Sequence, residues 1–326
     1  MKKASLVCLL WIYFTIINVF AQNNSIYLEL ENIRMDISKK HTYLENVNGK
    51  SFIAALTEER TLAMIELSNE AKDTSLIVEC DAMSFSSVAY SKGKQHLATI
   101  GEDAKIKVWN TSLELVAEVQ IPKSGMNSGI ALGNQSTYLA YTYTDDNQGY
   151  VVSMYDYQSG KNVKVLSGND FAVRQIYFSP NDQYLVSASD FDVVIWEVAT
   201  GNTIKIISVE YPEKLTFTHD NSVIAFTSDG DRNLCVYDIF RGEIKKVALS
   251  VTGIEDLQFD MNKILYAAGH KEGDWYAWAY YSLDKLPLSI DFDAPMIIMQ
   301  AFFSNDGKKL MITNGAYKLG IVDLKW

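Results

Sequence analysis

Four histidines offer the first chance of chemistry: His41, His96, His219 and His270. A zinc protease needs two histidines four apart around a glutamate, and a serine hydrolase needs a Gly-x-Ser-x-Gly elbow. Neither spacing occurs, and there is no glycine-rich loop to cradle a phosphate. The tightest group is His270, Glu272 and Asp274 in GHKEGDWYAW (269–278). On an extended strand alternate residues share a face, so these three could meet a metal. One short segment rarely closes a coordination sphere, and an acidic turn splays such side chains into water. His219-Asp220 sits in a turn with no nucleophile in reach. The run DDNQG at 145–149 resembles the start of a calcium loop without its later bidentate glutamate, and reads as a polar hairpin turn. The expectation is no catalytic residue, no metal and no cofactor. Trp275 and Tyr281, in the aromatic run WYAWAYY (275–281), are the candidate contact residues, because aromatics are enriched at interface hot spots.

The elements that would position such residues are strands. Of 326 residues 48% are hydrophobic and 21% charged, an ordinary globular balance, while 19 Tyr favour half-buried pleated surfaces. The net charge is -11 with no basic stripe, which argues against nucleic-acid binding. One plan recurs along the chain: an apolar strand, a polar turn, a second apolar strand, an acidic turn, and a third strand ending on a large residue. That end residue falls at Ile65, Trp109, Tyr155, Trp196, Tyr237, Trp278 and Val322, in steps of 41 to 46 residues. Such a period holds four strands. Six residues earlier stand mostly acids, among them Asp103, Asp190 and Asp231, which accept backbone N–H bonds in a tight turn.

The segment 168–196, GNDFAVRQIYFSPNDQYLVSASDFDVVIW, closely resembles a WD repeat. Gly168 and Asn169 stand where that family has Gly-His. Val173, Ile176 and Phe178 match its first strand, Ser179 and Pro180 its first turn, Asp190 its turn acid and Trp196 its tryptophan. The repeats are degenerate: none has the histidine, so the family's buried hydrogen-bonded tetrad cannot be complete and stability must rest more on packing between sheets. The resemblance implies an all-β, seven-bladed β-propeller. The last repeat lacks a fourth strand, and SIYLELEN (25–32) has no repeat of its own, so this N-terminal strand is expected to join the last blade and close the ring. Trp109, Trp196 and Trp278 then read as repeat core rather than ligand platforms.

Residues 1–21 combine Lys2 and Lys3, an apolar run over 4–20, and small residues at Val19 and Ala21. That is the layout of a secretory signal peptide. It would leave a single domain over 22–326, exported to the periplasm or beyond, with no membrane span after cleavage. Cys80 and Cys235 fall in non-adjacent repeats, so buried thiols are expected rather than a disulfide. WD-type propellers serve as protein-interaction platforms, so the resemblance implies a non-enzymatic scaffold with a protein partner. The alternatives are a small-ligand or glycan sensor and a propeller enzyme of lactonase or quinoprotein type.

Overall fold

The computed structural model describes residues 26–29, 42–47, 50–56, 61–66, 75–79, 85–101, 103–122, 126–228, 233–248, 252–271, 274–282, 288–291, 300–303, 309–313 and 318–323. The leader expected at 1–21, Cys80, Asp231 and Glu272 lie outside them. Among the described residues there is no helix, and the strands form seven four-stranded antiparallel sheets. Six sheets take four consecutive strands each, over 42–79, 85–120, 126–169, 175–208, 212–248 and 252–291. The seventh takes three strands from 300–323, and its fourth from the far end of the chain. Ile26–Glu29 pairs antiparallel with Lys318–Asp323, Ile26 opposite Ile321 and Glu29 opposite Lys318.

The fourth sheet shows why these sequences become strands. Its third strand, Asp192–Glu197, reads DVVIWE and is buried from Asp192 to Trp196. Alternate side chains leave a strand on opposite faces. Val194 and Trp196 accordingly join a cluster with Val152, Met154 and Leu166 of the third sheet. Val193 and Ile195 join Leu215, Phe217 and Phe226 of the fifth. A strand covered on both faces needs an unbroken apolar run, because each fully buried aliphatic contributes about 1.5–3 kcal/mol. Comparable clusters join the first sheet to the second, the second to the third and the fifth to the sixth. The core therefore lies between sheets. Cys235 is fully buried in one of these clusters.

Hairpin register corrects one expected anchor. In four of the sheets the anchor faces the second residue of the second strand: Leu97↔Trp109, Leu139↔Tyr155, Leu185↔Trp196 and Ile224↔Tyr237. In the sixth sheet that second residue, Leu265, faces Tyr281, and Trp278 faces Ala268. Tyr281, read from the sequence as a contact aromatic, thus holds the anchor position. The physical reason is strand length. Ile264–Lys271 and Asp274–Ser282 are 8 and 9 residues long, so counting from a fixed period lands three residues early.

In such a meander, the turns between first and second strands and between third and fourth lie at one end, here called lower. The turns between second and third strands, and the links between sheets, lie at the upper end. The lower turns are tied sheet to sheet. Ser91 Oγ donates to Gly133 O at 2.5 Å. Asp182 takes the backbone N–H groups of Asn134, Gln135 and Ser136 at 2.6, 2.8 and 2.7 Å, and the Ser136 hydroxyl at 2.7 Å. Asn181 N donates to Asn221 Oδ1 at 3.1 Å, and Lys263 Nζ reaches Asp220 at 2.6 Å and Ser222 at 3.1 Å. Burial alone would raise the Asp220 carboxyl, but bonds from Lys263, Ser222 and Thr218 hold it well below the usual carboxylate range.

His96 belongs to this belt. Its Nδ1 lies 2.8 Å from the Tyr157 hydroxyl across the interface between the second and third sheets, and the two rings meet edge to face at 5.7 Å. Burial and the nearby Lys94 lower the imidazole's affinity for a proton. A folded-state pKa below the unfolded value means that the unfolded chain binds the proton first, so stability falls as pH drops through about 6.5 toward the lowered folded value. Urea melts at pH 7.5 and 5.5 should show this loss, and a smaller one in His96→Gln. An unchanged pH dependence in that variant would remove His96 from the account.

Candidate functional site

The upper end carries a row of three exposed aromatic side chains. Phe171 sits in the link entering the fourth sheet, Phe191 in that sheet's turn between second and third strands, and Tyr211 in the link to the fifth. They are 40%, 44% and 46% exposed. Phe171 and Phe191 have ring centres 4.6 Å apart and planes inclined at 55°; Phe191 and Tyr211 are 6.0 Å apart and inclined at 47°. Leaving three touching aromatics in water forgoes burial that a fold would normally exploit.

The backbone beneath them is held rigidly. Tyr211 N donates to Asp190 O at 2.7 Å and Val209 N to Phe191 O at 3.0 Å, locking the link against the turn. Ser228 Oγ donates to Glu210 O at 2.7 Å, and Ser189 Oγ accepts the N–H of Phe191 at 3.1 Å while donating to Asp192 at 2.5 Å. Tyr211 has φ 47°, a left-handed conformation that is costly for a bulky side chain. The surrounding bonds thus hold a strained residue where its ring completes the row.

Each ring follows an acid: Asp170-Phe171, Asp190-Phe191 and Glu210-Tyr211. Asp190 is paired with Arg174 Nη2 at 2.7 Å. Asp170 and Glu210 are exposed, and no described cation pairs with either. The surface alternates π-faces with negative charge.

The residues singled out from the sequence have other surroundings. Trp109 and Trp196 are buried, and each indole N–H donates to a hydroxyl on the second strand, Thr99 Oγ1 and Ser187 Oγ, both at 3.0 Å. Ser187 passes the chain on to Asn169 Oδ1 at 2.9 Å, where it stops: Asn169 Nδ2 is buried without a partner. Tyr237 is buried, and Tyr155 is half-buried against the cluster between the second and third sheets. Where the anchor is Tyr, the position of Thr99 and Ser187 is taken by Tyr141 or Phe226, since no indole N–H needs an acceptor there. Asp103 caps its own turn, accepting from Lys105 N at 3.1 Å. Trp275 and Trp278 lie in the strand Asp274–Ser282. Asp145 accepts from the N–H groups of Asn147 and Gln148, both at 2.9 Å, which makes the 145–149 run a hairpin turn. Among the described residues no group of three His, Cys, Asp or Glu is placed to hold a metal, and no helix is long and apolar enough to cross a membrane.

The sequence reading missed Phe171, Phe191, Tyr211 and Asp182. A signal for the row was present, as acid-aromatic pairs spaced by 20 residues at 170/171, 190/191 and 210/211.

Repeated four-stranded sheets packed face to face, two of them with the same indole–hydroxyl bond, define a class of β-repeat protein. Residues 160–197 match the family model for the WD domain, G-beta repeat. It is similar to the periodic tryptophan protein 2 homolog of Dictyostelium discoideum, 24% identical over 228 residues, which cover 57% of this chain and 24% of that protein. Nuclear distribution protein nudF of Emericella nidulans is 32% identical over 124 residues, 37% of this chain and 27% of nudF. Periodic tryptophan protein 2 of Arabidopsis thaliana is 28% identical over 185 residues, 44% of this chain and 20% of that protein. The chain matches about a quarter of the length of these relatives. They also correct the expectation of export to the periplasm or cell exterior. The relatives are eukaryotic proteins, one of them named for nuclear distribution, a task inside the cell. An apolar run after two lysines is a compositional signal, and composition at one terminus does not establish the compartment of the domain behind it.

Proposed function

We propose that residues 26–323 form one seven-bladed β-propeller, closed by Ile26–Glu29 in the last blade, and that it works as a protein-docking platform rather than a catalyst. The ring is supported by the four-stranded repeat, by buried clusters shared between successive sheets, and by the pairing of the two ends of the chain. One observation carries the docking role: three touching aromatics stand exposed on a hydrogen-bonded, strained backbone. Rigid exposed aromatics give much contact area for little lost entropy, which is how interface hot spots work. The test places a photo-crosslinking benzoylphenylalanine at Phe191 in the full chain, in its native host. The control is the same group at Phe240, 74% exposed at the lower end. Defined protein adducts at 191 and not at 240 are expected. No adduct at 191, or the same adducts at both, would sink the reading.

A further inference from the structure

We infer that the segment docking on the row Phe171–Phe191–Tyr211 is cationic: an extended stretch of a partner protein carrying Arg or Lys side chains over the rings. The inference rests on the docking role proposed above and adds the chemistry of the partner. Its ground is the pairing of ring and charge. An acid precedes each aromatic, and two of the three, Asp170 and Glu210, are exposed with no described cation beside them. They belong to the two outer members of the row, one at each end. A guanidinium or ammonium over a ring face is drawn by the ring quadrupole, and a neighbouring carboxylate adds a charge-assisted hydrogen bond. An acidic or phosphate-bearing partner would meet repulsion from the same two carboxylates and from a chain of net charge -11.

The central pair, Arg174–Asp190, shapes this preference. Arg174 neutralises the middle acid at 2.7 Å, so the negative charge is concentrated at the two ends of the row. Ring centres 4.6 and 6.0 Å apart are close to the roughly 6.6 Å between alternate residues of an extended strand, whose side chains share one face. The matching ligand has two basic residues about four positions apart, with an apolar residue midway between them to cover Phe191.

The test is selection of random nonapeptides displayed on phage against the full-length chain at about 50 mM salt, where charge attraction is little screened. Enriched peptides are synthesised with a fluorophore and titrated against the wild type, Phe191→Ala and the double variant Asp170→Asn/Glu210→Gln. Thermal melts confirm that the variants fold. The expected result is enrichment of Arg and Lys, with affinity falling about tenfold or more in both variants and with rising salt. Peptides that lose binding in Phe191→Ala, yet carry no excess of Arg or Lys and ignore the double variant, would leave the docking surface standing and overturn its cationic partner. Peptides indifferent to Phe191→Ala, or no enrichment at all, would overturn both.

Discussion

Replacing Asp182 by Ala is expected to destabilise the fold by about 2–4 kcal/mol, because hydrogen bonds to a charged acceptor contribute about 1.5–3 kcal/mol each and several partly exposed ones are lost together. The carboxylate is almost fully buried and accepts four hydrogen bonds from Asn134, Gln135 and Ser136, three of them backbone N–H groups of the neighbouring sheet. Removing it leaves those donors aimed at a methyl group, with only water to replace the carboxylate. The backbone adds a second effect. Asp182 has φ 60°, a conformation that Asp tolerates and Ala resists. Asp182→Asn keeps the conformation and one acceptor but loses the charge, so it should fall between wild type and Ala. Asp190→Ala is the control. It deletes a carboxylate whose partner Arg174 is 65% exposed, and exposed pairs contribute about 1 kcal/mol or less. Urea denaturation gives the ranking, and hydrogen exchange locates it: amides of 134–136 should lose protection in Asp182→Ala. A loss under 1 kcal/mol would mean that the lower turns are tied by packing alone.

The second large effect is at Trp196. Trp196→Ala should cost about 3–5 kcal/mol, because it opens a cavity between Met154, Leu166 and Val194 that close-packed sheets cannot collapse to fill. Trp196→Phe separates packing from hydrogen bonding. It keeps most of the ring and deletes the indole N–H that donates to Ser187 Oγ at 3.0 Å. Ser187 still donates to Asn169, so the expected cost is about 1–2 kcal/mol. Trp109→Phe should cost about the same, since Trp109 donates to Thr99 with the same geometry. Chemical denaturation of the three variants reads these differences. If Trp196→Phe proved as damaging as Trp196→Ala, the indole bond rather than the packed ring would hold the two sheets.

Asn169 stands at the family's histidine position and shows what degeneracy costs. Its Oδ1 serves the Ser187 hydroxyl while its Nδ2 is buried without a partner, and the turn acid Asp190 faces Arg174 instead. The polar chain that is a tetrad in the WD repeat this segment resembles ends here after three members. Buried contacts on both faces of Asp192–Glu197 carry the sheet in its place.

The repeat was legible in the sequence because a four-stranded hairpin unit has a nearly constant length, and because a strand covered on both faces must be apolar throughout. Tryptophans at 109 and 196 could be read as core for the same reason. Tyr281 could not be told from Trp278 as an anchor, since a period counts residues whereas hydrogen-bond register counts pairs, and the sixth hairpin has longer strands than its neighbours. The acid-aromatic pairs at 170/171, 190/191 and 210/211 were visible as letters, but a spacing of 20 residues alternates between links and turns. Only the folding of the fourth sheet's turn between its links to the third and fifth sheets brings Phe171, Phe191 and Tyr211 into one row. Asp182 likewise reads as an ordinary turn residue, and its role exists only because the neighbouring sheet presents three N–H groups to it. Local pattern decided which segments are strands and which faces are apolar; which side chains meet across sheets was left to packing, because those contacts join residues that no period relates.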